Sequence, residues 1–109
     1  LEMLLEVQVG GGTFIYRGLQ AAREKLQVPS RTIVILITDF EEGGPVSAML
    51  DEVRTLVDSG AKVLGLAALS DDGKPRYNTG IAAQVVGCGM PVAALSPQEL
   101  ARWVGEQIQ

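Results

Sequence analysis

Two short runs constrain what this chain can fold into more than anything else in it. Thr32 to Thr38 reads TIVILIT and Lys62 to Leu69 reads KVLGLAAL, each apolar at both odd and even positions. A strand with one wet face alternates polar and apolar residues, because successive side chains point to opposite faces. A strand without that alternation needs cover on both faces, which parallel sheets flanked by helices provide.

The segments around these runs fit that demand. Met3 to Val9 is rich in Leu and Val, alternates loosely and ends at GGGT, which predicts a first strand. From Phe14 to Leu26, Ile15, Leu19, Ala22 and Leu26 recur at spacings of three and four, which predicts a helix with one apolar stripe. Pro45 suits the first turn of a second helix, whose stripe is Val46, Met49, Leu50, Val53, Leu56 and Val57, with Gly60 as its stop. A weaker helix is expected over Ile81 to Val86, then a short last strand in MPVAALS. Ser96, Pro97 and Glu99 make a capping box for a terminal helix packed through Leu100, Trp103, Val104 and Ile108. Strands alternating with helices over short loops predict an α/β fold: a doubly wound, mainly parallel sheet with helices on both faces. At 109 residues the chain is read as a single unit, without repeats or linkers.

Composition removes several functions. The net charge of -4 and the lack of a basic run argue against a nucleic-acid partner, since phosphate binding needs clustered cations. No histidine occurs, so imidazole-based zinc sites and Ser-His-Asp or Cys-His catalysis are unavailable from these residues. The single cysteine, Cys88, cannot make an internal disulfide and is compatible with a reducing cytoplasm. No apolar run approaches the roughly 20 residues needed to span a bilayer, and the opening LEMLLEVQVG lacks the basic flank of a signal peptide.

In parallel sheets ligands bind beyond the carboxyl ends of the strands. Three polar stretches are expected there: GGGT, DFEEGG and SDDGKPRYN. Asp39, Glu41, Glu42, Asp71 and Asp72, with the hydroxyls of Thr13, Thr38 and Ser70, form a hard-oxygen set suited to magnesium, manganese or calcium. Asp39, the first residue past the buried run, is the favoured ligand. Glu41 and Glu42 lie in a loop, where they rim the site or face solvent. Thr13 either presents its hydroxyl at the mouth or caps the following helix. Asp71 and Asp72 read most simply as a solvated turn, Tyr77 and Asn78 as a ligand rim, and Arg17, Arg23, Glu24 and Arg54 as solvated charges.

The stretches GGGTFIYRGLQAA, TIVILITDFEEGG and SGAKVLGLAAL together resemble the C-terminal two-thirds of a von Willebrand factor type A (VWA) domain, over essentially the whole chain. More narrowly, ITDFEEGG, LAALSDDGKPRYN and GMPVAALSPQEL resemble the bacterial CoxE-like VWA proteins, whose genes commonly accompany MoxR-type AAA+ ATPases. The resemblance implies a metal-ion-dependent adhesion site in which Thr13 and Asp39 match the family's threonine and aspartate. The family's D-x-S-x-S motif is absent from these 109 residues. The strand carrying it, with its helix, would precede Leu1, and because that strand is central in the family a gap lined by apolar side chains is expected in the sheet.

With Thr13 and Asp39 alone, binding of Mg²⁺, Mn²⁺ or Ca²⁺ is expected to be weak or absent. The leading expectation is therefore a non-catalytic, cytoplasmic interaction module whose cation, once the site is complete, accepts an acidic side chain from a protein partner. A MoxR-type ATPase is the implied partner system, and an exposed sheet edge allows self-association. The rival is a Mg²⁺-dependent phosphoryl-transfer enzyme with Asp39 as nucleophile or ligand, helped by Asp71 or Asp72 and Lys74. A third reading is a VWA scaffold that binds through protein surface alone.

Overall fold

A computed structural model describes residues 3–9, 14–69 and 74–107. Four strands, β1 (Met3–Val9), β2 (Thr32–Thr38), β3 (Lys62–Ala68) and β4 (Val92–Leu95), form one sheet in the order β1-β2-β3-β4. Every pairing is parallel. Four helices alternate with them: α1 (Ile15–Glu24), α2 (Val46–Asp58), α3 (Thr79–Gly87) and α4 (Pro97–Gln107), with a short 3₁₀ turn at Pro29–Arg31. The chain is an α/β fold of the Rossmann-like kind, a parallel sheet with helices on both faces.

Helices cover both faces of the sheet, unevenly. Ile15, Leu19 and Ala22 of α1, Met49, Val53 and Leu56 of α2, and Ala82 and Val85 of α3 join Val34, Leu36, Val63 and Ala67 in one core. On the opposite face Ile33, Ile35, Leu64 and Leu66 pack with Ala93 and Leu95 of β4 and Trp103 of α4. Three successive crossovers stepping in one direction along the sheet put their helices on one side, which is what a constant crossover hand produces. The lack of alternation in TIVILIT is thereby explained: its even residues feed the first core and its odd residues the second.

The expected gap does not occur. Seven residues of β1 pair with all seven of β2, from Met3 with Thr32 to Val9 with Thr38. β1 takes the seat beside β2, because an interior strand with one unpaired edge would bury orphan N–H and C=O groups. Among the described residues, β1 and β4 are therefore the outer strands of the sheet. On β1, Leu5, Val7 and Val9 face the first core while Leu4, Glu6 and Gln8 are exposed.

Helix boundaries follow identifiable chemistry. Pro45 is the N-cap of α2 rather than its first helical residue, and Gly60, at φ 98°, takes the left-handed turn that ends it. α3 starts two residues earlier than its apolar stripe suggests, because the Asn78 side chain accepts a hydrogen bond from Ile81 N at 3.0 Å. The capping box of α4 is present in both directions: Ser96 N donates to Glu99 Oε1 and Glu99 N to Ser96 Oγ, each at 3.2 Å. Ile108 lies outside the described residues.

Candidate functional site at the carboxyl edge

The site is built where β2 ends. Val9 is paired with Thr38, so the chain leaves β1 beside the point at which Asp39 leaves β2. Asp39 is half-buried, and its Oδ1 accepts a hydrogen bond from Glu41 N at 2.9 Å, folding the loop back on itself. Its own carbonyl accepts from Asn78 N at 2.8 Å, tying the end of the third loop to this one. Two of the polar stretches expected at the carboxyl edge thus meet there, through Asp39 and Asn78.

Phe40, which the sequence offered no reason to single out, anchors the loop. Its φ is 59°, a left-handed backbone uncommon for a non-glycine residue, and its side chain is fully buried. The ring meets Tyr77 edge-on, with centroids 6.4 Å apart, and fills the space above Gly65. A Cβ on Gly65 would lie 3.0 Å from the ring tip of Phe40. Thr38 Oγ1 accepts from Phe40 N at 3.2 Å and is nearly inaccessible, so this hydroxyl is a structural group. Tyr77 and Asn78 likewise serve packing and capping where the sequence suggested a ligand rim.

Glu42 differs most from its sequence reading. Oε1 accepts from Ile15 N at 3.1 Å and Gly44 N at 2.9 Å, and Oε2 accepts from Tyr16 N at 3.0 Å. The N-cap of α1 is Phe14, which has no capping side chain. Glu42 therefore caps α1 from another loop, placing negative charge at the positive end of the helix dipole. Two of these bonds, from Ile15 N and Tyr16 N, lock the Asp39 loop to the start of α1, and the third, from Gly44 N, closes the loop itself. Its signal in the sequence was faint: a carboxylate beside two glycines, and a phenylalanine immediately before Ile15, which leaves the first N–H groups of the helix in need of a remote acceptor.

Thr13, Ser70, Asp71 and Asp72 lie outside the described residues. Glu41 is exposed and contributes its backbone N–H. Two of the four charges read as solvated have partners: Arg23 grips Glu52 of α2 through Nε and Nη2 at 2.9 and 3.2 Å, and Arg54 pairs with Asp51 at 3.3 Å. The Glu52 carboxylate holds the Arg23 guanidinium above its ordinary pKa, so its charge is permanent. Arg17 lies over the rings of Phe14 and Tyr16, its guanidinium carbon 4.6 and 5.9 Å from the two centroids.

The sequence of this parallel α/β domain matches one family model. That model, for VWA domain containing CoxE-like proteins, covers residues 1–104. The chain belongs to this family. Among its relatives, YehP, an uncharacterized protein of Escherichia coli (strain K12), is 41% identical over 109 residues. Those residues are all of this chain and 29% of YehP, so the VWA chain spans under a third of that relative's length. No solved structure gives a significant match.

The group such a VWA domain implies is a divalent cation, and the donor set can be tested for it. A hard cation of this kind takes about six oxygen ligands. Glu42 spends both carboxylate oxygens on backbone N–H groups and Thr38 is buried. Among the described residues no three acidic side chains converge anywhere. Asp39 is left as one carboxylate at the right edge, and by themselves the described residues do not fit the ion.

Proposed function

We propose that this VWA domain is a non-catalytic protein-interaction module that meets its partner at the carboxyl edge of the sheet, around Asp39. One observation carries the reading: Asp39 leaves a fully paired interior strand and is held at that edge by Glu41 N and Asn78 N, while the neighbouring Glu42 is consumed by backbone. The loop is braced and leaves one carboxylate for an external task. Asp39 and Thr13 would be two ligands of a Mg²⁺, Mn²⁺ or Ca²⁺ ion, and the D-x-S-x-S residues that the family's site needs are not among these 109. For the cation to be held well those residues would have to be supplied from elsewhere, and the ion would then supply a Lewis-acid position for an acidic side chain of the partner.

By family association the partner is a MoxR-type AAA+ ATPase, for which the module serves as adaptor in the cytoplasm. Among the described residues no helix is long and apolar enough to cross a membrane. Phosphoryl transfer, with Asp71 or Asp72 as the second carboxylate beside Asp39, is the weaker alternative, because no D-x-D follows an apolar strand in the sequence and the neighbouring Glu42 is committed to capping. The test is binding of a purified MoxR-type ATPase to the native full-length protein in Mg²⁺ and after chelation. Chelation and Asp39→Ala should each abolish binding, and no hydrolysis of a generic phosphate ester with Mg²⁺ should be detected. Binding that survives both treatments would contradict the cation-bridged reading and favour a scaffold acting through protein surface alone.

A further inference from the structure

Phe14 occupies a position that local structure leaves without a purpose. N-cap positions favour Ser, Thr, Asp or Asn, whose side chains bond the first free N–H groups. Phe14 makes no capping bond, that task falling to Glu42, and it is not in the core, being 37% exposed. It stacks instead on Tyr16, with ring centroids 5.7 Å apart and planes 17° from parallel. Tyr16 in turn lies against Gly44 of the Asp39 loop, where an added Cβ would come within 2.8 Å of its ring. The pair forms a step of aromatic surface at the carboxyl edge, fixed to the loop that carries Asp39.

Arg17 lies over this step. Its guanidinium is set above the Phe14 ring by a cation–π contact, and it has no carboxylate partner among the described residues, whereas Arg23 and Arg54 each have one. A guanidinium held this way keeps its fork of donors ready for a carboxylate at low entropic cost. An exposed aromatic ring beside an arginine is the composition in which binding energy concentrates at protein interfaces.

We propose that Phe14, Tyr16 and Arg17 form a docking patch for an acidic segment of a protein partner, an Asp or Glu pairing with Arg17 while an adjacent apolar side chain rests on Phe14. This rests on reading the carboxyl edge as the contact surface, and it adds a recognition element that needs no cation. Selection of binders from a library of random short peptides, with chelator present throughout, tests it. The enriched peptides should share an acidic residue next to an apolar one. Their affinity should fall by roughly tenfold or more for Arg17→Glu and for Phe14→Ala, and stay unchanged for Arg54→Ala, which removes an exposed arginine of α2 outside the patch. Arg17→Lys, which keeps the charge without the fork, should fall between. Circular dichroism checks that each variant is folded. Enriched peptides without acidic residues, equal binding to Arg17→Glu, or no enrichment at all would overturn the patch. None of these touches the cation reading, which stands or falls on chelation and Asp39→Ala in the ATPase assay.

Discussion

Glu42 and Phe40 flank the exposed Glu41 and do the opposite of what their chemistry suggests in isolation: the apolar residue ends a strand in a left-handed turn, and the acid turns inward to backbone. The three N–H groups on Glu42 come from two segments, so the carboxylate acts as a bolt between the start of α1 and the Asp39 loop. Glu42→Ala should lower stability by about 2 kcal/mol, since bonds to a charged acceptor are worth more than neutral ones. Chemical denaturation would read this directly, and a change within error would mean that water replaces the bolt. Gly65→Ala should cost about 2 kcal/mol by overpacking, because a Cβ there meets Phe40, Met90 and Val92 at 3.0 to 3.2 Å. Asp39 could be singled out from the sequence because it directly follows a buried run. Glu42 could not, since its bonds reach 26 and 27 residues back along the chain and no local pattern encodes them.

At the scale of elements, the helices are set by ends as much as by stripes. The stripe of α3 is weak, and Asn78 defines where it begins. Asn78→Ala should cost about 1 kcal/mol, with Asn78→Asp retaining most of the stability. In α4 the Ser96 backbone N–H, and then its hydroxyl, hold the Glu99 carboxyl below its ordinary pKa. A carboxylate with a lowered folded-state pKa stabilises above its unfolded pKa, and that contribution is lost as pH falls through the folded value. Thermal unfolding followed across the acid range should therefore show a loss that Glu99→Gln lacks. Capping boxes and apolar periods are local, which is why these elements were legible in the sequence to within a few residues. The placement of three helices on one face was not, because it depends on strand order, which apolar runs do not specify.

For the whole molecule, the strand order also removed an expected gap and moved the open edge to β1. Glu6 stands exposed at the middle of that edge, a charge that discourages another strand from adding there. Self-association should thus be weak, and Glu6→Val should raise the dimer fraction in sedimentation. An unchanged fraction would place any association elsewhere. The central claim, that Asp39 marks a cation-dependent contact edge which these 109 residues only partly build, is tested most directly by titrating Mn²⁺ while recording amide NMR spectra. Weak binding is expected, on the order of millimolar, with paramagnetic broadening centred on Asp39 and its loop and lost in Asp39→Ala. Broadening centred elsewhere, or tight binding by these residues alone, would contradict it.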